Sequence, residues 1–111
     1  VITAHFLSKR KDSKAKSNNR QRQAVALTKA VNKLRKETDK LIVMGDFNDY
    51  LDSPTLVTLR DQKRLSSVVV GAGKDKARID HILYQGFLEK QSQLVDLNTY
   101  SDHDALMTVF Y

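Results

Sequence analysis

The sequence contains no cysteine and no tryptophan, and it has a single proline among its 111 residues. Without cysteine the chain cannot form a disulfide framework, a thiolate zinc site or a cysteine nucleophile. Apolar runs such as Leu41–Met44 and Val68–Val70 are far shorter than the about 20 residues that a membrane-spanning helix needs. Carboxylates, amides and imidazole remain as the groups that could bind a metal or carry out catalysis. The 41% hydrophobic and 29% charged residues are typical of one folded domain.

The positive charge is concentrated in one segment. Residues Lys9–Arg22, called the basic segment below, contain seven basic side chains and one acid, which together equal the net charge of +6 of the whole chain. Such a segment attracts polyanions, nucleic acid first and anionic lipid headgroups second. A solvated loop without any partner has the same composition, so charge alone leaves both interpretations open.

Hydrophobic patterning predicts an α/β order of elements. A short, β-branched start indicates a buried strand over Val1–Leu7, and the polar Ser8–Asn19 indicates an exposed loop, with Asn18 or Asn19 as the N-cap of a following helix. The further predicted elements are a helix over Arg20–Lys36, a strand over Leu41–Met44 buried on both faces, a short helix opened by Ser53 and Pro54 and ending at Leu59, and strands over Leu65–Val70, Arg78–Tyr84, Leu94–Leu97 and Ala105–Tyr111. This order is typical of α/β layering.

Polar side chains follow the predicted strand Leu41–Met44 directly. Asp46 and Asn48 lie two residues apart just after Gly45, so both side chains point to the same side of an extended chain. Open α/β sheets bind ligands beyond the carboxyl ends of their strands, and Mg²⁺ takes oxygen ligands from one or two carboxylates. A loop in which the two side chains only satisfy backbone groups explains the same pair.

Two further positions combine histidine with carboxylates. His103 stands between acids in the SDHD segment, which favours a proton near neutral pH, as an acid–base or phosphate-binding group requires. An acidic turn with an exposed histidine explains the same segment. Asp80 lies on an apolar strand, where a carboxylate is costly unless paired, and either His103 or Arg78 is a suitable partner. A lone His5 on the first strand is more typical of a core or edge residue, and His81 is expected to point to the face opposite Asp80.

Taken in order, five segments resemble the endonuclease/exonuclease/phosphatase superfamily: TAHFLSK, RQRQAVAL, LIVMGDFNDYLDSPTL, ARIDHILY and SDHDALM. The first and third are most similar to bacterial, often secreted, nuclease-like members. The resemblance implies an α/β fold, the C-terminal half of a DNase-like four-layer α/β sandwich, with one mixed β-sheet and flanking helices. Residues 1–111 would be that half of the domain, its N-terminal half being absent, and the start at Val1 predicts a fragment or a processed product.

The resemblance implies metal-dependent phosphodiester hydrolysis, with a nuclease acting on DNA or RNA as the leading function and Mg²⁺, or Mn²⁺ or Ca²⁺, as the cofactor. By matching positions, Asp46 would orient or deprotonate the attacking water, and Asn48 would hold phosphate or metal. Asp102 would lie at the metal site. His103 would bind the scissile phosphate or act as base, and Asp80 would orient it.

His5 matches a strand position at which a His or Tyr of the family contacts phosphate. The adjoining basic segment would then contact backbone phosphates, with Lys9, Arg10, Lys11 and Arg20 as the candidate residues. The segment contains no aromatic residue, so base stacking is not expected.

The metal-ligating Glu of the family comes from the N-terminal half, and here only Glu37 and Glu89 exist, neither in a matching context. The resemblance therefore implies a partner: a complementary N-terminal half, or a second copy, against the inner sheet face that a lone half would expose. The alternatives are a sphingomyelinase-like or other phosphoesterase of the superfamily, and a catalytically incomplete half that binds nucleic acid. The absence of Trp argues against the inositol-phosphatase branch. An extracytoplasmic or secreted location rests on the resemblance alone.

Overall fold

The computed structural model describes residues 1–61, 64–71 and 73–111. Its elements are β1 (Ile2–His5), α1 (Lys14–Leu34), β2 (Leu41–Asp46), α2 (Pro54–Leu59), β3 (Ser66–Ser67), β4 (Asp80–Gln85), β5 (Glu89–Val95), a 3₁₀ turn (Asn98–Tyr100) and β6 (Ala105–Phe110). The predicted α/β order is confirmed. Within the described residues, neither α-helix combines the length and the apolar character needed to cross a membrane.

Four strands form a mixed sheet in the order β1-β2-β4-β3. The crossover through α1 makes β1 parallel to β2, whereas β4 runs antiparallel to both β2 and β3. The strands β5 and β6 pair with each other in a second, two-stranded antiparallel sheet. The mixed sheet with flanking helices agrees with the predicted fold class, and the two-stranded sheet is an addition to it.

The core lies between the two helices and one face of the mixed sheet. Its buried members are Phe6, Ala24, Val31, Leu41, Val43, Phe47, Leu56, Leu59, Leu65 and Leu83. Side chains alternate along β2, so Leu41 and Val43 are buried while Ile42 and Met44 are only partly covered. The prediction that this strand is buried on both faces is therefore wrong, because its second face lines a groove of about 320 Å³ against β6.

The helix α1 begins well before the apolar periodicity that predicts it. Ser13 is the N-cap, and its Oγ accepts the N–H of Lys16 at 3.2 Å. The predicted loop is thus wrong from Lys14 onward, and Asn18 and Asn19 lie inside the helix. These first turns face mostly solvent, so no apolar residue marks them in the sequence. The helix α2 is confirmed, with Ser53 as N-cap and Pro54 as its first residue.

The strand β3 is shorter than the predicted Leu65–Val70. Past Ser66–Ser67 the N–H of Val68 still donates to the carbonyl of Ile82 on β4 at 2.9 Å, but side chains bind the next backbone groups: Arg78 donates to the carbonyl of Val68 at 2.8 Å, and Asp75 accepts the N–H of Val70 at 2.8 Å. Backbone groups that bond to side chains no longer pair with β4.

The strand β5 is longer than the predicted Leu94–Leu97 and covers Glu89–Val95. Most of its side chains are polar, so the period-two apolar signal of a strand is missing from the sequence. Aromatic packing attaches the β5–β6 hairpin to the mixed sheet, with the rings of Tyr84 and Phe110 centred 4.8 Å apart.

Gly45 allows β1 and β2 to approach each other. A Cβ at this position would lie 1.9 Å from the carbonyl oxygen of Ala4 on β1, far inside van der Waals contact. Glycine is therefore required immediately before Asp46.

We expect Gly45→Ala to lower the free energy of unfolding by more than about 3 kcal/mol, because the clash can be relieved only by moving one backbone away from the other. Gly71→Ala is the matched control: its φ is +81° but nothing lies within 4 Å of the added Cβ, so it should cost about 1–2 kcal/mol. Urea unfolding followed by circular dichroism measures both. Equal losses would contradict the close-approach argument.

Candidate functional site

Three neighbouring strands place polar side chains in one row. The sheet register sets His5, at the end of β1, opposite Asp46, at the end of β2, and sets Asp46 opposite Asp80, at the start of β4. Side chains alternate along each strand, and Ala4 packs on the helix-facing core. The side chains of the row therefore project from the face opposite the helices.

His103, just before β6, joins this row. Its Nδ1 lies 2.6 Å from Oδ2 of Asp80, so the ring and the carboxylate share a hydrogen bond. Asp46, Asp80 and His103 each offer one ligand atom, and these three atoms lie within 4.8 Å of one another. The hydrogen bond that the ring donates to Asp80 raises the pKa of His103, against the opposing effect of burial, and the charge of Asp46 raises it further.

Arg78 does not form an ion pair with the Asp80 side chain. Its guanidinium donates to the carboxylate of Asp75, to the carbonyl oxygen of Val68 and to the backbone carbonyl of Asp80. The alternative in which Arg78 neutralises Asp80 is therefore wrong, and the Asp80 carboxylate is engaged with His103.

Two predicted site residues lie at the rim of the cluster. The side chain of His5 is 77% exposed, and its Nε2 lies 3.8 Å from Oδ2 of Asp46. The side chain of Asp102 is 96% exposed, and its Oδ1 lies 3.9 Å from Nε2 of His103. Asp102 therefore stands beside His103 but is not one of the three clustered side chains, whereas Asp80, expected only to orient His103, is.

Asn48 cross-links the segments that follow β1 and β2. Its backbone N–H donates to Oδ1 of Asp46 at 2.8 Å, and its Nδ2 donates to the carbonyl of Phe6 at 2.8 Å. Asn48 is buried and has a φ of +49°, which asparagine tolerates better than most residues. One Nδ2 hydrogen is used by Phe6, so the second Nδ2 hydrogen and Oδ1 remain for a ligand: the first suits a phosphate oxygen, and the second suits a metal ion or a water.

The basic segment contains both buried and exposed cations. Arg20 is buried, with Asp12 at 2.9 Å from its guanidinium, and Lys9 lies 2.9 Å from the carboxylate of Asp49. Protein carboxylates thus already pair with Arg20 and Lys9, and phosphate binding by these two cations stays a prediction. The exposed members of the segment are Arg10, Lys11, Lys14 and Arg22.

Asp49 is a functional candidate that the sequence reasoning missed. Its carboxylate is buried between Lys9 and Arg20, and His81 meets its backbone carbonyl at 2.9 Å. Burial opposes ionisation, but hydrogen bonds from Lys9 and from the N–H of Tyr50 outweigh it and hold the pKa of Asp49 below its usual range. In the sequence, the only sign of this role is that Asp49 is a further acid beside Asn48 in a chain with more cations than acids.

His81 points to the helix side, as predicted. Its side chain is 1% exposed, and burial lowers its pKa, so the ring is neutral at physiological pH. It has no place in the row formed by His5, Asp46 and Asp80.

The donor set fits a hard divalent cation in part. The two carboxylates suit Mg²⁺ or Mn²⁺, but one oxygen of Asp80 is already bonded to His103, which leaves Asp46 as the freest charged donor. Glu89 instead accepts hydrogen bonds from Tyr84 and Ser92. No glutamate among residues 1–61, 64–71 and 73–111 belongs to the cluster.

Grooves open on either side of the Asp80–His103 pair. One, of about 310 Å³, is lined by this pair together with Lys74, Arg78 and Asp102. The other, of about 400 Å³, is lined by the pair, by Asp46 and by apolar side chains of the inner sheet face. A ligand in either groove reaches the His103 ring.

In the metal-free protein we expect Asp80→Asn to lower the pKa of His103, because the carboxylate that bonds the imidazolium is lost. Asp102→Asn also removes one negative charge, but the Asp102 carboxylate lies 3.9 Å from Nε2 of His103 and makes no hydrogen bond to the ring. This substitution should therefore lower the pKa of His103 less. An NMR titration of the His103 ring protons measures both shifts. Equal shifts would contradict Asp80 as the main partner.

Comparison with solved structures places this geometry in a known fold. The chain is similar to the human Nocturnin catalytic domain solved with a bound sulfate anion, with a TM-score of 0.77 and 19% sequence identity. The match covers 98% of this chain and 45% of that one, so the chain spans less than half of the Nocturnin domain. This likeness confirms the predicted DNase-like fold.

Comparison with sequences gives two results. No curated protein matches the chain. The profile of the Endonuclease/Exonuclease/phosphatase family matches residues 10–103, a span that contains Asp46, Asp80 and His103. Since that span is most of the sequence, the chain belongs to the endonuclease/exonuclease/phosphatase family.

Proposed function

We propose that this chain carries part of the active site of a divalent-metal-dependent phosphodiester hydrolase, a nuclease acting on DNA or RNA. The observation that carries the proposal is the cluster of Asp46, Asp80 and His103, whose ligand atoms lie within 4.8 Å of one another in a chain of this family. Carboxylates and imidazole at this spacing are the groups that metal-assisted phosphate chemistry requires.

Asp46 binds the metal and orients the attacking water. One of its oxygens accepts the N–H of Asn48, which fixes the carboxylate and leaves the second oxygen on the side of His5. A carboxylate held in this way can orient a water molecule and accept its proton. A divalent cation bound here supplies charge neutralisation at the phosphoryl oxygens.

His103 contacts the scissile phosphate. Its Nδ1 is engaged with Asp80, so Nε2 is the nitrogen that meets a ligand. The raised pKa favours the imidazolium, which donates a charged hydrogen bond to a phosphate oxygen and stabilises the charge that develops there. This favours phosphate binding over the general-base role, and Asp80 holds the ring in place. The exposed His5 contacts phosphate from the opposite side of Asp46.

The exposed cations favour a polyanionic substrate. Arg10 and Lys11 follow β1 closely and are exposed, and Lys14 continues the positive surface along the first turn of α1. A row of cations that leads away from His5 matches successive phosphates of a nucleic acid better than one lipid headgroup.

The site is completed by an N-terminal half of the domain, in the same or another polypeptide, which supplies the missing glutamate. Three observations support this. Among the described residues of the cluster, Asp80 is engaged with His103, which leaves Asp46 as the freest carboxylate for a metal, and the inner face of the sheet is open, with Met44 and Leu106 lining its groove. The chain also spans less than half of the Nocturnin domain.

In the completed enzyme, Asp46→Asn and His103→Ala should each lower kcat by about 10²–10⁴-fold, because each removes a group in contact with the reacting atoms. Asp52→Asn removes a nearby exposed carboxylate outside the cluster and should leave the rate unchanged. The assay offers plasmid DNA, RNA and sphingomyelin vesicles in parallel with Mg²⁺. Near-normal turnover of either cluster variant would refute its role, and hydrolysis of the vesicles alone would favour the sphingomyelinase-like alternative.

Binding of nucleic acid should depend steeply on salt, through the exposed cations. Arg10→Gln and Lys11→Gln should each reduce the slope of log K against log salt concentration by about one unit, since each phosphate contact releases about one counterion. Lys33→Gln, an exposed cation in the last turn of α1, is the control and should leave the slope unchanged. Fluorescence anisotropy with labelled DNA measures the slopes, and an equal effect of all three variants would contradict this binding surface.

A further inference from the structure

Arg20 contacts both of the segments that leave the sheet at the site. Its Nη1 lies 3.4 Å from the carbonyl oxygens of Leu7 and Ser8, which follow β1. Its Nε lies 3.4 Å from Oδ2 of Asp49, which follows β2, and its Nη2 meets both oxygens of Asp12 at 3.0 and 2.9 Å. One guanidinium, itself 1% exposed, thus contacts the segments after β1 and after β2.

Stability alone does not explain a cation at this position. Arg20 begins the core-facing row of α1 that continues with Ala24, Leu27 and Val31. Removing a guanidinium from water is costly, and apolar side chains of similar volume often stabilise a buried position equally well or better. What the guanidinium adds is a set of directed hydrogen bonds to fixed partners.

The partners of Arg20 belong to the same two segments that hold the site residues. The N–H of Phe6 donates to the carbonyl of Asp46 at 2.9 Å, and Asn48 returns a hydrogen bond to the carbonyl of Phe6. Asp49 directly follows Asn48. Lys9, from the segment after β1, also binds Asp49, so two cations hold this one carboxylate. The short cross-links beside His5 are therefore flanked by a buried ionic clamp.

We infer that Arg20 is a positioning residue for the site. Through Asp49 and the carbonyls of Leu7 and Ser8 it keeps the segment after β2 against the segment after β1, so that Asp46 and Asn48 stand beside His5. It touches neither metal nor substrate. The catalytic consequence of this inference rests on the proposed function, whereas its consequence for the order of the two segments rests on geometry alone.

A lysine cannot replace this arginine. An ammonium is a compact charge, whereas the planar guanidinium donates in a fixed fork to Asp12, to Asp49 and to backbone carbonyls at once. Arg20→Lys therefore keeps the charge and removes most of the directed contacts. Arg35→Lys is the matched control, because Arg35 is 13% exposed, binds Asp61, Asn32 and Gln85, and lies at the other end of α1, about 22 Å away along the helix.

Amide hydrogen exchange tests the geometric part. In Arg20→Lys the N–H groups of Phe6 and Asn48 should exchange at least tenfold faster than in the unsubstituted protein, while the N–H of Leu83 in β4 keeps its rate. Arg35→Lys should leave all three unchanged. If Arg20→Lys does not fold, Asp49→Asn, which weakens the same clamp, should give the same pattern. Unchanged exchange at Phe6 and Asn48, or an equal increase in both arginine variants, would overturn the inference.

Two further measurements test the functional part. Calorimetric titration of the chain with Mn²⁺ alone should give about tenfold weaker binding for Arg20→Lys than for Arg35→Lys, as expected for a residue that orients a ligand. In the completed enzyme Arg20→Lys should lower kcat with little change in KM. Unchanged Mn²⁺ affinity and kcat would overturn positioning of the site. Absence of hydrolysis by the unsubstituted enzyme would instead refute the proposed function, while the exchange result still decides the inference.

Discussion

The parallel pairing of β1 with β2 is the contact on which the site depends. Its register sets His5 opposite Asp46, and it requires Gly45, because any side chain there would meet the carbonyl of Ala4. A slip by one residue would turn Asp46 toward the helices. The antiparallel strand β4 then adds Asp80 to the same row. The site residues of three distant segments thus meet because of sheet geometry, and the loops beyond the strands need only hold what the sheet has already aligned.

Some cations of the basic segment stabilise the fold, and others face the solvent. Lys9 and Arg20 neutralise the buried Asp49, whereas Arg10 and Lys11 remain exposed. The net charge of +6 therefore does not distinguish the cations that pair with buried carboxylates from those that face the solvent. At the site itself the cluster is acidic, so an approaching phosphate meets carboxylates as well as the His103 ring. In the proposed function, a cation at the cluster would remove this local repulsion, whereas the exposed cations beside it would attract the polyanion from a distance.

The sequence predicts well the site residues at the strand ends, and predicts poorly the contacts that support them. Strand ends, Gly45 and the α2 cap all leave local signals, and the resemblance of SDHD and ARIDHILY to family segments links His103 to Asp80. The start of α1 is missed because its first turns are solvated and need no apolar residue. The burial of Arg20 is missed for a different reason. Its partner Asp49 lies 29 residues away, and no local pattern distinguishes a buried cation from an exposed one.

The two histidines whose pKa values shift in opposite directions contribute to the pH dependence of stability with opposite signs. His103 has a pKa raised above 6.5, so its contribution is complete below 6.5 and is lost as the pH rises through the folded-state value. His81 has a pKa lowered below 6.5, so the unfolded chain takes up a proton first and stability declines as the pH falls below 6.5. The two contributions therefore act in adjoining pH ranges, and together they favour the fold most near 6.5. Near this pH the imidazolium of His103 and the ionised Asp49 exist together, so the His103–Asp80 pair and the Arg20–Asp49 pair are both charged.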